Sequence, residues 1–193
     1  MNTGQMMLVI GAFAMLSMLA LALNRTMFNS LVLGLEMEAT LNALSIGQSM
    51  LDEIESKQFD EKVTGTTIVY NYSGMTAPNS LGQDGGETVP GIDSAYYVGS
   101  TFHDFQSKTK FDDVDDYHLY HRRVYDPRMG YFDVIDSVQY VSEFAPNRDT
   151  TSQTYYKRLV VVVRHPNLPR QSDTSSTTLP VIVRDIAIYR QYF

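Results

Sequence analysis

MMLVIGAFAMLSMLALAL, residues Met6–Leu23, runs without a proline or a turn into NRTMFNSLVLGLEMEATLNALSIGQSMLDEIESKQFD, residues 24–60, and this junction decides the fold. No charged side chain occurs before Arg25, and the first proline is Pro78. The apolar run of about 18 residues rises roughly 27 Å as a helix, close to the ~30 Å hydrocarbon thickness of a bilayer. It lacks the basic n-region and the change of pattern that mark a cleaved secretory signal. Small residues, Gly4, Gly11, Ala12, Ala14, Ser17, Ala20 and Ala22, alternate with large apolar ones. In lipid such residues let helix backbones approach one another. The residues expected to carry assembly are Gln5, Met6, Leu8, Gly11, Ala14, Leu16, Met18, Leu21, Phe28 and Leu35.

Beyond Arg25 the apolar positions Phe28, Leu31, Leu35, Ala39, Ala43, Ile46, Met50 and Ile54 recur every three or four residues, the spacing of one helical face. The opposite face carries Glu36, Asn42, Gln48, Asp52, Glu53 and Glu55. A single helix ending near Lys57–Phe59 would be roughly 80 Å long, far beyond the globular mean of about 11 or 12 residues. Three segments follow from these patterns: residues 1–24, an apolar half suited to a membrane or a filament core; 25–60, its amphipathic continuation; and 61–193, a β-rich domain.

Residues 61–193 alternate runs rich in Val, Ile, Tyr and Thr with Gly, Pro, Asn and Asp punctuation. Strands are predicted at Thr66–Tyr72, Tyr131–Phe144, Tyr155–Arg164 and Leu179–Tyr192. The run Leu159–Val163 is apolar on both faces and reads as a central strand, and Pro180 sits at a strand start, where a missing N–H is tolerated. Residues 79–91 and 169–178 read as exposed loops. The fold class is α+β: a long N-terminal helix, its stripe from Leu31 to Ile54 laid on a mostly antiparallel sheet.

Charge and chemistry narrow the function. The formal net charge is −7, and residues 61–193 carry 13 basic against 16 acidic side chains, so no nucleic-acid footprint is expected. The chain has no cysteine, so no disulfide can staple it. It contains no G-x-S-x-G, P-loop or H-E-x-x-H pattern, and no enzyme activity or cofactor is predicted. His103, His118, His121 and His165 are scattered, with no metal-ligand spacing among them. Asp112-Asp113-Val114-Asp115-Asp116 places four carboxylates in five residues, yet the loop pattern of a Ca²⁺ hand is absent. A solvated turn paired with Lys108, Lys110, Arg122 or Arg123 is the expected solution. A Ca²⁺ site at Asp112, Asp113, Asp115 and Asp116 is the alternative.

Three stretches bear a family resemblance. Gly47-Gln48-Ser49-Met50-Leu51-Asp52-Glu53-Ile54-Glu55-Ser56-Lys57-Gln58-Phe59-Asp60-Glu61, Phe111-Asp112-Asp113-Val114-Asp115-Asp116-Tyr117 and Tyr156-Lys157-Arg158-Leu159-Val160-Val161-Val162-Val163, set behind an apolar N-terminal helix, resemble the minor-pilin branch of the type IV pilin superfamily, which includes the type II secretion pseudopilins. The resemblance departs at Gln5, where the family has Glu, and in lacking its proline near position 22. If Met1 is the mature start, Gln5 cannot pair by charge with a neighbour's amine but can accept a hydrogen bond; alternatively Gly4-Gln5 is a leader junction. The resemblance implies a structural filament subunit without catalysis, held in the inner membrane before assembly and in a cell-surface or periplasmic filament after it. Its implied partners are copies of itself or other pilin-like subunits through the N-terminal helix, the inner membrane and an assembly machinery. The alternative is a single-pass envelope protein whose β domain binds a partner without polymerising, and a metal hydrolase built on Asp112–Asp116 is a third reading.

Overall fold

Uninterrupted helix formers and the absence of proline give one helix, α1, spanning Thr3–Glu55 in a computed structural model that describes residues 2–65, 67–89, 91–171 and 177–190. The chain divides into two compact units, Met1–Glu38 and Ala39–Phe193, with the division inside this helix. In the first unit every described residue up to Leu35 is exposed, including Leu31 and Leu35. The sheet-covering stripe therefore starts at Ala39 rather than at Leu31. Its buried members are Ala39, Ala43, Gly47, Met50, Leu51 and Ile54. The first three are small, which brings the helix axis close to the sheet: a Cβ on Gly47 would lie 2.7 Å from Val183 Cγ2. α1 stops two residues short of the expected end, and Asp60 then caps the 3-10 turn Glu61–Val63 by accepting from Lys62 N.

The described strands are β1 (Asp93–Ser94), β2 (Tyr96–Val98), β3 (Thr101–His103), β4 (His121–Asp126), β5 (Gly130–Ser142), β6 (Ala145–Asp149), β7 (Tyr156–Arg164) and β8 (Val181–Ile188). The main sheet has the order β1-β4-β5-β7-β8, with β6 also on β5. Its pairings are antiparallel except the short parallel β1–β4 contact. β2 and β3 form a separate, exposed hairpin. β7 lies between β5 and β8, as its apolar run predicts, and β8 starts directly after Pro180.

Period-two alternation turns Phe132, Val134, Val138 and Tyr140 of β5 and Leu159, Val161 and Val163 of β7 inward. All but Tyr140 join the helix stripe in the main core, while Tyr140 packs with Phe59, Val63 and Met75 in a second cluster. No strand forms at residues 67–72; Thr66 lies outside the described residues. Here side chains replace the ladder: Val69 N donates to the Tyr189 hydroxyl, Tyr155 OH donates to Tyr70 O, and Asn71 caps a 3-10 turn at Tyr72–Gly74. The described residues of the segment 79–91 are irregular as predicted, but Val89 is buried, held by its N–H donating to Gln83 Oε1. Residues 172–176 of the predicted 169–178 loop lie outside the described residues, and Arg170 pairs with Thr178 across them in an isolated antiparallel bridge.

Candidate functional site

Gln5, Met6, Leu8, Gly11, Ala14, Leu16, Met18, Leu21, Phe28 and Leu35 all lie exposed on α1 within the first unit. The helix is long and apolar enough to cross a membrane, and none of its apolar window is buried. Gly4, Gly11 and Gly34 have no atom within 4 Å of where a Cβ would sit. This surface has no intramolecular partner in the unit and offers apolar contact, not catalytic chemistry.

The second unit gathers the three quoted stretches into two buried ionic networks. In the first, Arg122 of β4 reaches the end of α1: Nη1 donates to Glu53 Oε2 at 2.8 Å and Nη2 to Glu53 Oε1 at 2.5 Å. Arg122 also donates to the Ser107 and Tyr120 hydroxyl oxygens and lies over the Phe105 ring. Glu53 Oε1 further accepts from Tyr117 and Ser107, and Asp93 Oδ2 accepts from the Tyr120 hydroxyl and Ser107 N. Asp136 points into the same interior with neither carboxyl oxygen hydrogen-bonded. Burial pushes it well above the ordinary carboxylate range, against the opposing field of Arg122.

The second network centres on Lys157 of β7, whose side chain is 0% exposed. Its Nζ donates to Phe59 O at 2.7 Å, Asp60 Oδ2 at 2.8 Å and Asp115 Oδ1 at 2.5 Å, with the Phe59 and Tyr140 rings alongside. The two carboxyls that share this cation differ. Burial raises both, but at Asp60 the charge and hydrogen bond of Lys157, with the bonds from Tyr140 OH and Lys62 N, outweigh it and hold the carboxyl below its ordinary value; Asp60 accepts from Thr76 N and Oγ1 as well. Asp115 has only Lys157, its Oδ2 has no partner, and burial pushes it up to about 7.

The acidic stretch is therefore not a solvated turn paired with its sequence neighbours. Asp113, Asp115 and Asp116 are buried. The expected cations are engaged elsewhere: Lys108 on Asp104, Lys110 on Thr88 O, Arg122 on Glu53 and Arg123 on Asp133. The actual partner, Lys157, arrives from a strand more than forty residues away. Asp113 and Asp116 brace each other, each accepting the other's backbone N–H. Burial, with Asp115 and Asp116 beside it, pushes Asp113 up to about 8. Carboxylate oxygens of Glu87, Asp112 and Asp116 lie within 4.8 Å of one another and are the described group able to hold a divalent cation. This differs from the sequence-derived set by adding Glu87 and leaving out Asp113 and Asp115. Burial and then Asp116 and Asp112 push Glu87 up to about 7.

Each histidine has its own structural partner. His103 stacks on Tyr96; His118 Nδ1 accepts from Val138 N; His121 Nε2 lies 3.4 Å from Asp133; His165 stacks on Phe132 and contacts Met129 O. Sequence reading missed both the Glu53–Arg122 pair and the Asp60–Lys157 pair. One signal was available: Lys157 shares the parity of Leu159, Val161 and Val163, and a lysine at a core-facing position requires a buried counter-charge. No family model, curated protein or solved structure matches the chain.

Proposed function

We propose that the chain is a pilin-like structural subunit of an extracellular or periplasmic filament, anchored by α1 in a membrane before assembly and packed through the same surface afterwards. The observation that carries this reading is that the apolar window of α1 is 0% buried while the same helix, without a break, becomes the cover of the sheet. An apolar helix that leaves lipid needs an equally apolar environment, and an array of like helices supplies one without exposing it to water. The buried networks support a structural role: Arg122 on Glu53 ties the end of α1 to the sheet, and Lys157 on Asp60 and Asp115 ties the segments that follow to β7. Electron microscopy of sheared surface material, with the chain identified in the fibres, tests the proposal. Regular fibres that contain the chain support it. Recovery only as detergent-soluble monomer or small complexes would favour a membrane-anchored envelope protein that does not polymerise.

A further inference from the structure

From the geometry around Lys157 we infer that its Nζ and the Asp115 carboxyl condense to a side-chain amide, an internal covalent staple between β7 and the Asp115–Tyr117 turn. Three features of the site favour this bond over a lasting ion pair. The amine and the carboxyl are already in contact, Nζ lying 2.5 Å from Asp115 Oδ1. Groups fixed this way react as though at effective concentrations on the order of 10⁵–10⁸ M. The site is also dry: Lys157 and Asp60 are fully buried, Asp115 is 2% exposed, and the Phe59 and Tyr140 rings close over the nitrogen. Away from water an ammonium–carboxylate pair loses its solvation, and a dry site favours expulsion of water. Finally, the two carboxyls are unequal. Asp60 is held as an anion by four donors besides Lys157, which makes it a poor electrophile and a well-placed base. Asp115 has a single contact and an unpartnered Oδ2.

The step balances without an oxidant or a co-reactant. One ammonium proton passes from Nζ to the Asp115 carboxylate, and the freed lone pair forms the N–Cγ bond. Asp60, 2.8 Å from Nζ, takes the second proton from the attacking nitrogen and delivers it to the departing hydroxyl. The C–O bond breaks, one water leaves, the third proton stays on the amide, and Asp60 returns to its carboxylate. The bond would give a chain with no cysteine a covalent cross-link that no reductant can open.

Intact-mass spectrometry of the full chain, purified in detergent and then fully denatured, tests the inference without any variant. The expected mass is lower by one water than that of an Asp115→Ala chain corrected for its substitution. Trypsin should fail to cut after Lys157, and fragmentation should show the Lys157 and Asp115 peptides joined. Asp60→Asn, which keeps the side-chain shape, should leave most of the chain uncondensed. A wild-type chain of full mass with normal cleavage at Lys157 overturns the inference. A linkage to Asp60 overturns the assignment of roles, and complete condensation in Asp60→Asn overturns the relay.

Discussion

Replacing Arg122 by Met tests the first network directly. The guanidinium makes two bonds to Glu53 and one each to Ser107 and Tyr120, and the Arg122 and Glu53 side chains are 6% and 13% exposed. Methionine fills similar volume but leaves the carboxylate of Glu53 without its cation. Breaking a buried pair from one side costs about 3–5 kcal/mol, a large fraction of a total stability of about 5–15 kcal/mol. For a unit of this size that corresponds to a drop in melting temperature of roughly 6–20 °C. Thermal and urea unfolding of the full chain in mild detergent, followed by the near-ultraviolet signal of its tyrosines, reads the change. Removing both charges, as Glu53→Met with Arg122→Met, should recover part of the loss, with a coupling of about 1–3 kcal/mol. A single variant costing under about 1 kcal/mol, or two strictly additive variants, would refute the view that this pair locks the end of α1 onto the sheet.

Gly47→Ala gains about 1 kcal/mol of helix propensity but drives a Cβ to 2.7 Å from Val183 Cγ2, an overpacking of about 1–3 kcal/mol. A net loss is expected, turning into a gain when Val183→Ala is added, as read by urea midpoints. Asp113, pushed up to about 8 from an ordinary 3.8, holds in the folded state a proton that the unfolded chain gives up. Its contribution is complete below about pH 4 and lost by about pH 8, so melting temperature should fall between pH 5 and pH 9 and fall less in Asp113→Asn. Residues 39–193 alone should melt cooperatively, whereas a chain starting at residue 61 should lose several kcal/mol at ~25 cal/mol per Å² of exposed apolar area, seen as an aggregating, non-cooperative species. Gly11→Leu and Ala14→Leu should insert in membranes normally yet lower fibre yield at least tenfold; normal yield from either would remove the case for close helix packing.

The helix was readable because its signal is local. A 3.6-residue period needs only neighbours in sequence, and so does the apolar run of β7. The start of the sheet contact was harder to place, because Leu31 and Leu35 fit the same period as Ala39 and Ala43. Nothing in that period marks where the sheet begins, and the close approach is explicit only at Gly47, beneath Val183 and Val163. The missing strand at 67–72 has the right composition, but a strand also needs a free edge in the right place. Tyr189 and Tyr155 occupy those backbone groups instead. The ionic networks were the least legible part. Glu53 and Arg122 are 69 residues apart, and Lys157 and Asp60 are 97 apart. Charge pairing at such separations is set by topology, and nearer cations such as Lys110 and Arg123 made a plausible but wrong local solution.

The glycines of α1 separate its two halves more sharply than hydropathy does. Each costs a helix about 1 kcal/mol relative to alanine, so each needs a compensating contact. Gly47 has one within the chain, since only hydrogen fits beneath Val183. Gly4, Gly11 and Gly34 have none, with nothing within 4 Å of the space a methyl would fill. In hydrocarbon that cost is offset when another helix comes close enough to pack against the bare backbone, because lipid tails solvate a leucine as well as a glycine and give no reward for being small. Under the proposed assembly the same residue type would serve two contacts along one helix. At 47 the partner is the chain's own sheet, and at 4, 11 and 34 the proposed partner is the helix of another subunit.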